Sequence, residues 1–304
     1  MTEIRYATPA DAEATLAFIA ESGFTPRDRA TWDGLAMGAV LAVHSSRIVG
    51  AIPFEPRQLA IDTDGRSISV VHQTCVAVAG AERGTGLGSR MQRFLADAPP
   101  AGVGFATVFR EEPTSPAYRW YVRSGFEPAA SIEAFLLDEP VADQGTASLR
   151  WLDVGDQAFT DAARRSDARS TPGRVTDRPL VDWLRVHPYR GRYRFRAAVS
   201  GDTVALVGIG KLHSDTERLE LLAWQAPTLD SLSSLVRSIV GNAAEHGIRP
   251  VRWPLATSDR AAGVARSLGM RVHWQFDLLA RRLADEAPSL PAPSDVRYAG
   301  VDYI

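Results

Sequence analysis

Val78-Ala79-Gly80-Ala81-Glu82-Arg83-Gly84-Thr85-Gly86-Leu87-Gly88 is the stretch on which the reading of this chain turns. Upstream, Ser67–Val78 is a β-branched run that reads as one long strand, and downstream a helix is expected through Leu95. Small residues between a strand and a helix start let backbone N–H groups approach an anion, and the helix dipole favours negative charge there. A pyrophosphate is the natural guest. A glycine-rich turn alone is also an ordinary strand-to-helix connection. Two other phosphate motifs are excluded: no Lys-Ser/Thr pair follows the glycines, and the strand is not the first of a βαβ unit with an acidic ribose ligand.

Working outward, Ile4–Ala7 is a short strand leading into Thr8-Pro9-Ala10-Asp11, a cap with proline at the first helical position. A helix then ends near Gly23, and a second covers Arg29–Met37. Ala39–His44 and Arg47–Phe54 flank a hairpin at Ser45-Ser46, and Ile61–Gly65 is a further turn. Past the glycines come a strand Gly102–Phe109, a helix Pro116–Ser124 and a strand Ser131–Leu137. The order β-α-α-β-β-β-α-β-α-β predicts an α/β fold of the α+β type, a mixed sheet with helices on both faces.

Residues 138–147 have linker composition, and a fainter copy of the pattern follows. It comprises strand Leu149–Leu152, helix Gln157–Ser166, a hairpin of Arg194–Ser200 with Thr203–Leu212, strand Leu219–Trp224 and helix Leu229–His246. Strand Val251–Pro254, helix Asp259–Leu268 and strand Val272–Ala280 complete it. The expected organisation is a first domain over 1–140, a second over 148–285 and a tail over 286–304. The period is too long for a solenoid, and tandem copies of one domain fit better.

Composition narrows the class. Hydrophobic residues make up 45% and charged residues 23% of the 304, which supports two buried cores. The net charge of −2, without a basic stripe, argues against nucleic acid. A single cysteine, Cys75, excludes an intramolecular disulfide and points to a reducing compartment, so a cytoplasmic location is expected. No signal-peptide pattern opens the chain, and no apolar run is long enough to span a membrane. His187, His213, His246 and His273 have no ligand spacing, so no metal site is expected.

The glycine stretch resembles the GNAT N-acetyltransferase signature (Gln/Arg)-x-x-Gly-x-(Gly/Ala), with Arg83, Gly86 and Gly88 in register. A second segment, Ala117–Phe126, resembles the family's helix ending in Tyr-x-x-x-Gly-Phe, through Tyr121, Gly125 and Phe126. Gly125 is equally an ordinary helix end. Tyr121–Ala129 also looks like the Tyr-x-Arg-x-Gly-(Phe/Tyr)-x-Pro-Ala run of Eis-type acetyltransferases, which carry a second, degenerate GNAT domain. Their third, sterol-carrier-like domain is absent here, which puts the substrate range and an Eis-like hexamer in doubt.

The resemblance implies two tandem GNAT folds, the second degenerate, with acetyl-coenzyme A as co-substrate, no metal, and a small-molecule amine attacking directly in a ternary complex. The cofactor residues implied are Val76, Val78, Arg83, Gly84, Thr85, Gly86, Leu87, Gly88 and Ser89. Strand-edge N–H groups at Val76 or Val78 can polarise the thioester carbonyl. By the family's pattern Tyr121 is the acid that protonates the coenzyme A sulfur; the plainer alternative is a packed aromatic. His72, six residues before Val78, shares its face on an undistorted strand, where histone-acetylating relatives place a glutamate; it can serve as base or simply be hydrogen-bonded. Glu111 and Glu112 compete for that role, and Cys75 reads as buried rather than as an acyl carrier. Phe24, Trp32 and Phe54 either line an acceptor pocket or belong to the core.

In the second copy, Gln225–Ser231 lacks both arginine and glycine, Pro227 removes a donor, and Ala265 stands where the family has tyrosine. Leu180–Pro188 either faces the first domain's acceptor cleft or only packs. The tail, with Pro288, Pro291 and Pro293 before Val296, Tyr298, Val301, Tyr303 and Ile304, either docks on a domain or brings the Ile304 carboxylate or Asp302 to the site, as the Eis-type resemblance implies. A homodimer is allowed. A non-catalytic acyl-coenzyme A sensor or scaffold, and an aminoacyl or peptidyl transferase of tandem-GNAT type, are the rival functions.

Overall fold

The computed structural model describes residues 2–24, 26–60, 67–111, 113–138, 149–153, 156–168, 184, 191–211, 217–257, 259–287 and 289. Ser45 and Ser46 both have positive φ, 48° and 63°. That is the primed-turn geometry of a two-residue hairpin, and it joins β2 (Gly38–His44) to β3 (Arg47–Ala60). Before them lie β1 (Glu3–Tyr6), α1 (Ala12–Glu21) and α2 (Arg29–Gly34). Asp28 caps α2 by accepting the Thr31 N–H at 2.8 Å. Then follow β4 (Ser67–Gln73), β5 (Ala77–Val78), α3 (Leu87–Asp97), β6 (Phe105–Glu111), α4 (Pro116–Arg123) and β7 (Glu127–Leu137). The α4 start combines Pro116 at its first position with Ser115, whose Oγ accepts the Tyr118 N–H at 3.1 Å.

The remaining elements are β8 (Arg150–Asp153), α5 (Gln157–Ala168), β9 (Tyr193–Ser200), β10 (Thr203–Gly210), β11 (Arg218–Gln225), α6 (Leu229–Glu245), β12 (Val251–Ala256), α7 (Ala261–Ser267) and β13 (Arg271–Arg282). The chain divides into two compact units. The first holds Met1–Leu59, Arg66–Ala129 and Leu278–Leu290; the second holds Ala60–Gly65, Ala130–Asp277 and Pro291–Ile304. The sequence expectation of cuts at 140, 148 and 285 follows chain order, whereas β7 and β13 each contribute residues to both units.

In the first unit the strands run β1-β2-β3-β4-β6, with the C-terminal part of β13 beyond β6 and β5 lying on β3. One face of this sheet carries Val40, Ala42, Ile52, Val71, Ala106 and Val108. Against it pack Leu87, Met91 and Leu95 of α3, and Tyr118 and Tyr121 of α4. Burying such side chains contributes roughly 1.5–3 kcal/mol each, which outweighs any local propensity here.

In the second unit β7 pairs with β12, β12 with β11, and β11 to β8 follow as an antiparallel run. Leu232, Leu235, Val236 and Ile239 of α6 bury against Val207, Leu219, Leu221 and Trp253. Inside this sheet Glu220 is buried and accepts from Arg218 at 2.8 Å and Arg252 at 2.9 Å. Arg252 in turn lies 3.9 Å over the Trp274 ring. Among the described residues no helix is long and apolar enough to cross a membrane.

Candidate active site

The long strand expected over Ser67–Val78 is broken. β4 runs parallel to β6, with Val70, Val71 and His72 opposite Phe105, Ala106 and Thr107. At Cys75 the backbone turns left-handed, φ +49° in a residue that has a Cβ, and β5 beyond it pairs with β3. Val78 lies opposite Gly50 and Ala77 opposite Ala51, while the Ala79 N–H donates to the Val49 carbonyl at 2.9 Å. In that antiparallel register the N–H groups of Ala77 and Ala79 face β3, and those of Val76 and Val78 face away from it. These two donors therefore line the space where β5 parts from β6.

The break also reverses the side-chain alternation. Val71 packs with α3 and α4, as do Val76 and Val78. His72 points the other way: its Nδ1 is 3.0 Å from Thr107 Oγ1 and its ring centroid is 4.8 Å from that of Phe109. The shared face expected for His72 and Val78 is corrected accordingly, because the irregular residue at Cys75 shifts the period-two pattern. His72 is buried, and burial first, then the charges of Arg57 and Arg27, hold its pKa well below the usual range.

After β5 the glycine stretch makes a short 3-10 turn at Gly80–Glu82. Arg83 folds back so that its Nε donates to the Val78 carbonyl at 3.1 Å, and Thr85 Oγ1 donates to the Glu82 carbonyl at 2.8 Å. Gly84 and Gly86 have φ of +80° and +81°, with no atom within 4 Å of where a Cβ would stand. α3 begins on Gly86 without a side-chain cap, and its first closed turn is Arg90 N–H to Gly86 carbonyl at 3.0 Å. The N–H groups of Leu87, Gly88 and Ser89 thus start a helix without an intrahelical acceptor. Leu87 anchors this end in the core, so its contribution to a ligand is its backbone. Gly88 is there for packing instead, since a Cβ on it would lie 3.2 Å from the Trp120 ring.

Tyr121 is fully buried beneath this loop's helix, between Trp120 (centroids 4.6 Å apart) and Phe126 (5.1 Å). Its hydroxyl makes no hydrogen bond of ordinary geometry among the described residues, although Arg110 lies close enough to act on it. The Arg110 guanidinium carbon stands 5.0 Å from the ring centroid, and Arg110 Nε is likewise buried and unpartnered. Burial pushes the phenol pKa up, and Arg110 pulls it part of the way back. Cys75 is half-buried near this hydroxyl, close enough that a charged thiolate there would raise the phenol further. A buried polar atom left without a partner costs about 1–3 kcal/mol, so a ligand, ion or water that reached this hydroxyl would recover it.

Three neighbours escaped the sequence reading. Gln73 and Gln92 exchange amide hydrogen bonds at 3.0 and 2.6 Å in the core, tying the end of β4 to α3. Arg110 itself was missed, although it falls on the same strand face as Val108 and ends an apolar run. Trp32 and Phe54 are buried core residues, and Phe24 is only partly buried. The Glu111 side chain, Glu112, the tail beyond Ser289 and all of Leu180–Pro188 except Leu184 lie outside the described residues. Among the described residues no group of three or more His, Cys, Asp or Glu could hold a metal.

The corresponding helix of the second unit is built differently. The Thr228 side chain accepts the Ser231 N–H at 3.1 Å, and the Ser231 hydroxyl returns to the Thr228 backbone, a reciprocal cap at the start of α6. Ala265 is fully buried in α7.

No protein-family model matches the sequence, and no curated protein matches it. Solved structures do. A GCN5-related N-acetyltransferase from Anabaena variabilis superposes with a TM-score of 0.70 at 14% identity, covering 93% of this chain and 73% of that one. Eis1 from Mycobacterium abscessus gives 0.61 at 14%, covering 98% and 82%. A tandem GNAT protein from the clavulanic acid biosynthesis pathway gives 0.58 at 13%, covering 95% and 100%. With the broken strand, the uncapped α3 and these likenesses together, the chain has the fold of the GNAT superfamily.

Proposed function

We propose that the first unit is an N-acetyltransferase that uses acetyl-coenzyme A and a small-molecule amine in a ternary complex. The single observation behind this is the uncapped, glycine-built start of α3 beside a buried tyrosine hydroxyl without a partner. The backbone N–H groups from Gly86 to Ser89 would hold the pyrophosphate, with the open space over Gly84 and Gly86 left for it. Arg83 is near enough to add charge if it releases Val78. Bound acetyl-coenzyme A supplies the activated acyl group.

The rest falls to the chain's own residues. The outward N–H of Val76 or Val78 would stabilise negative charge on the acyl oxygen, an effect worth about 3 kcal/mol where such donors are preorganised. Tyr121 would donate its hydroxyl proton to the departing sulfur, and Arg110 beside the ring stabilises the resulting phenolate. The amine would approach from the opposite sheet face, where buried His72 sits neutral beside Thr107 and its surroundings disfavour its holding the amine's proton, which would pass on to solvent. Its depressed pKa makes it a weaker base than the near-neutral imidazole expected from sequence.

The second unit would be a degenerate copy. A helix start whose Ser231 N–H is already taken by the Thr228 side chain, and which carries Asp230 in its first turn, suits a phosphate poorly, and Ala265 cannot serve as an acid. A thiol-release screen over amino acids, polyamines, aminoglycosides, hydrazines and peptides tests the proposal. Free coenzyme A appearing only with an amine supports it. Tight cofactor binding without release under any amine would instead favour a sensor.

A further inference from the structure

On the sheet face away from Tyr121, the charges that act on His72 are those of Arg57 and Arg27. Arg27, in the connection between α1 and α2, places Nη1 3.4 Å from Thr74 Oγ1 and 3.7 Å from Met37 Sδ, both long contacts. Among the described residues it meets no carboxylate, and it is only partly buried. Arg57, also on this face, is buried and bound to Glu55 at 2.9 Å, so Glu55 is already neutralised. His72 itself stays uncharged. Thr74 lies just past the end of β4 at Gln73 and two residues before Val76, one of the two outward donors proposed for the acyl oxygen, so a guanidinium with spare donors stands near the reacting position.

Resting on the acetyltransferase reading above, we propose that the acceptor is an amine that also carries a carboxylate, paired with Arg27 while the amino group reaches the opening beside Thr74 and Cys75. A guanidinium fork matches a carboxylate in two parallel hydrogen bonds, which fixes orientation as well as charge. Among the described residues, a polycationic acceptor would meet Arg27 and Arg57 here, and the carboxylate beside them, Glu55, is engaged by Arg57. The unit thus selects an amino-acid-like molecule over a polyamine or an aminoglycoside.

Thiol release is measured for a set of amino acids, their amides, the corresponding amines without the carboxylate, a polyamine and an aminoglycoside. The acid form of the best acceptor is expected to exceed its amide in kcat/KM by about 10- to 100-fold. Arg27→Met should bring that ratio close to one through KM, and Arg27→Lys should restore part of it. The wild-type ratio reads the preference even if Arg27→Met fails to fold. If the amide or the polycations match the acid, or the ratio survives in Arg27→Met, the carboxylate is wrong while acetyl transfer stands. If no amine releases thiol although acetyl-coenzyme A binds, acetyl transfer itself falls and takes this inference with it.

Discussion

Trp120 reaches across from α4 to the first turn of α3: its Nε1 donates to Ser89 Oγ at 3.2 Å, and its ring stands 3.2 Å from where a Cβ on Gly88 would lie, a tight contact. The glycines of this loop are therefore not equivalent. Gly86→Asp puts a negative charge where the pyrophosphate is proposed, and a side chain at φ +81°. Calorimetry should find acetyl-coenzyme A binding lost, with a stability cost of about 1–2 kcal/mol for the left-handed backbone. Gly88→Ala should leave the backbone relaxed, push Trp120 aside and change its fluorescence, with a smaller loss of affinity. Retained cofactor binding in Gly86→Asp, or two cofactor equivalents per chain, counts against the division of labour between the units.

Tyr121→Phe keeps the ring contacts with Trp120 and Phe126 and removes only the unpartnered hydroxyl. The chemical step should slow by about 10²–10⁴, at nearly unchanged cofactor affinity. Thermal stability should hold or rise, because a buried polar atom without a partner is lost. Unchanged turnover would assign the proton to water or another group.

The Gln73–Gln92 pair makes a prediction about folding alone. Changing one to leucine strands the other amide in the core, so each single variant should lose about 1–3 kcal/mol in denaturant unfolding. The double variant should recover part of that loss. Additive losses would mean the amides do not depend on each other.

The pH dependence follows from His72. Its folded pKa is depressed by burial and by Arg57 and Arg27, while the unfolded value is about 6.5. Above that pH both states are neutral. As the pH falls below it, only the unfolded chain takes up the proton, so stability declines at up to about 1.4 kcal/mol per pH unit. His72→Gln should lack this slope between about pH 6.5 and 5. Asp11 acts lower: hydrogen bonding from Arg5 holds its pKa well down, so its contribution is lost only as the pH falls below about 4. Parallel melting curves for wild type and His72→Gln over pH 5–8 would place His72 outside the core.

How far the sequence could be read depended on range. Caps, hairpins and periodicity are local, and they placed the turn at Ser45-Ser46, the starts of α2 and α4, and the helix after Gly86 within a few residues. The break at Cys75 carries no such mark, since Thr74-Cys75-Val76 contains no glycine or proline and suits a continuous strand. That one omission moved His72 to the wrong face. The contributions of β7 and β13 to both units depend on pairing between residues far apart in the chain, which no window reports. Gln92 interrupts the apolar side of α3 beside Met91, and that was the available signal for its partner.

α3 and α6 begin in opposite ways, and this has a consequence for ligand-free protein. α6 is closed by its own threonine and serine, whereas α3 starts on a bare glycine. The opening turn of α3 should therefore exchange its amide hydrogens early, and the same turn of α6 late. Bound phosphate would slow exchange at Leu87, Gly88 and Ser89 and raise the melting temperature with the logarithm of its concentration once that exceeds Kd. In folding terms, an anion bound there would play the part of the capping residue that this helix lacks.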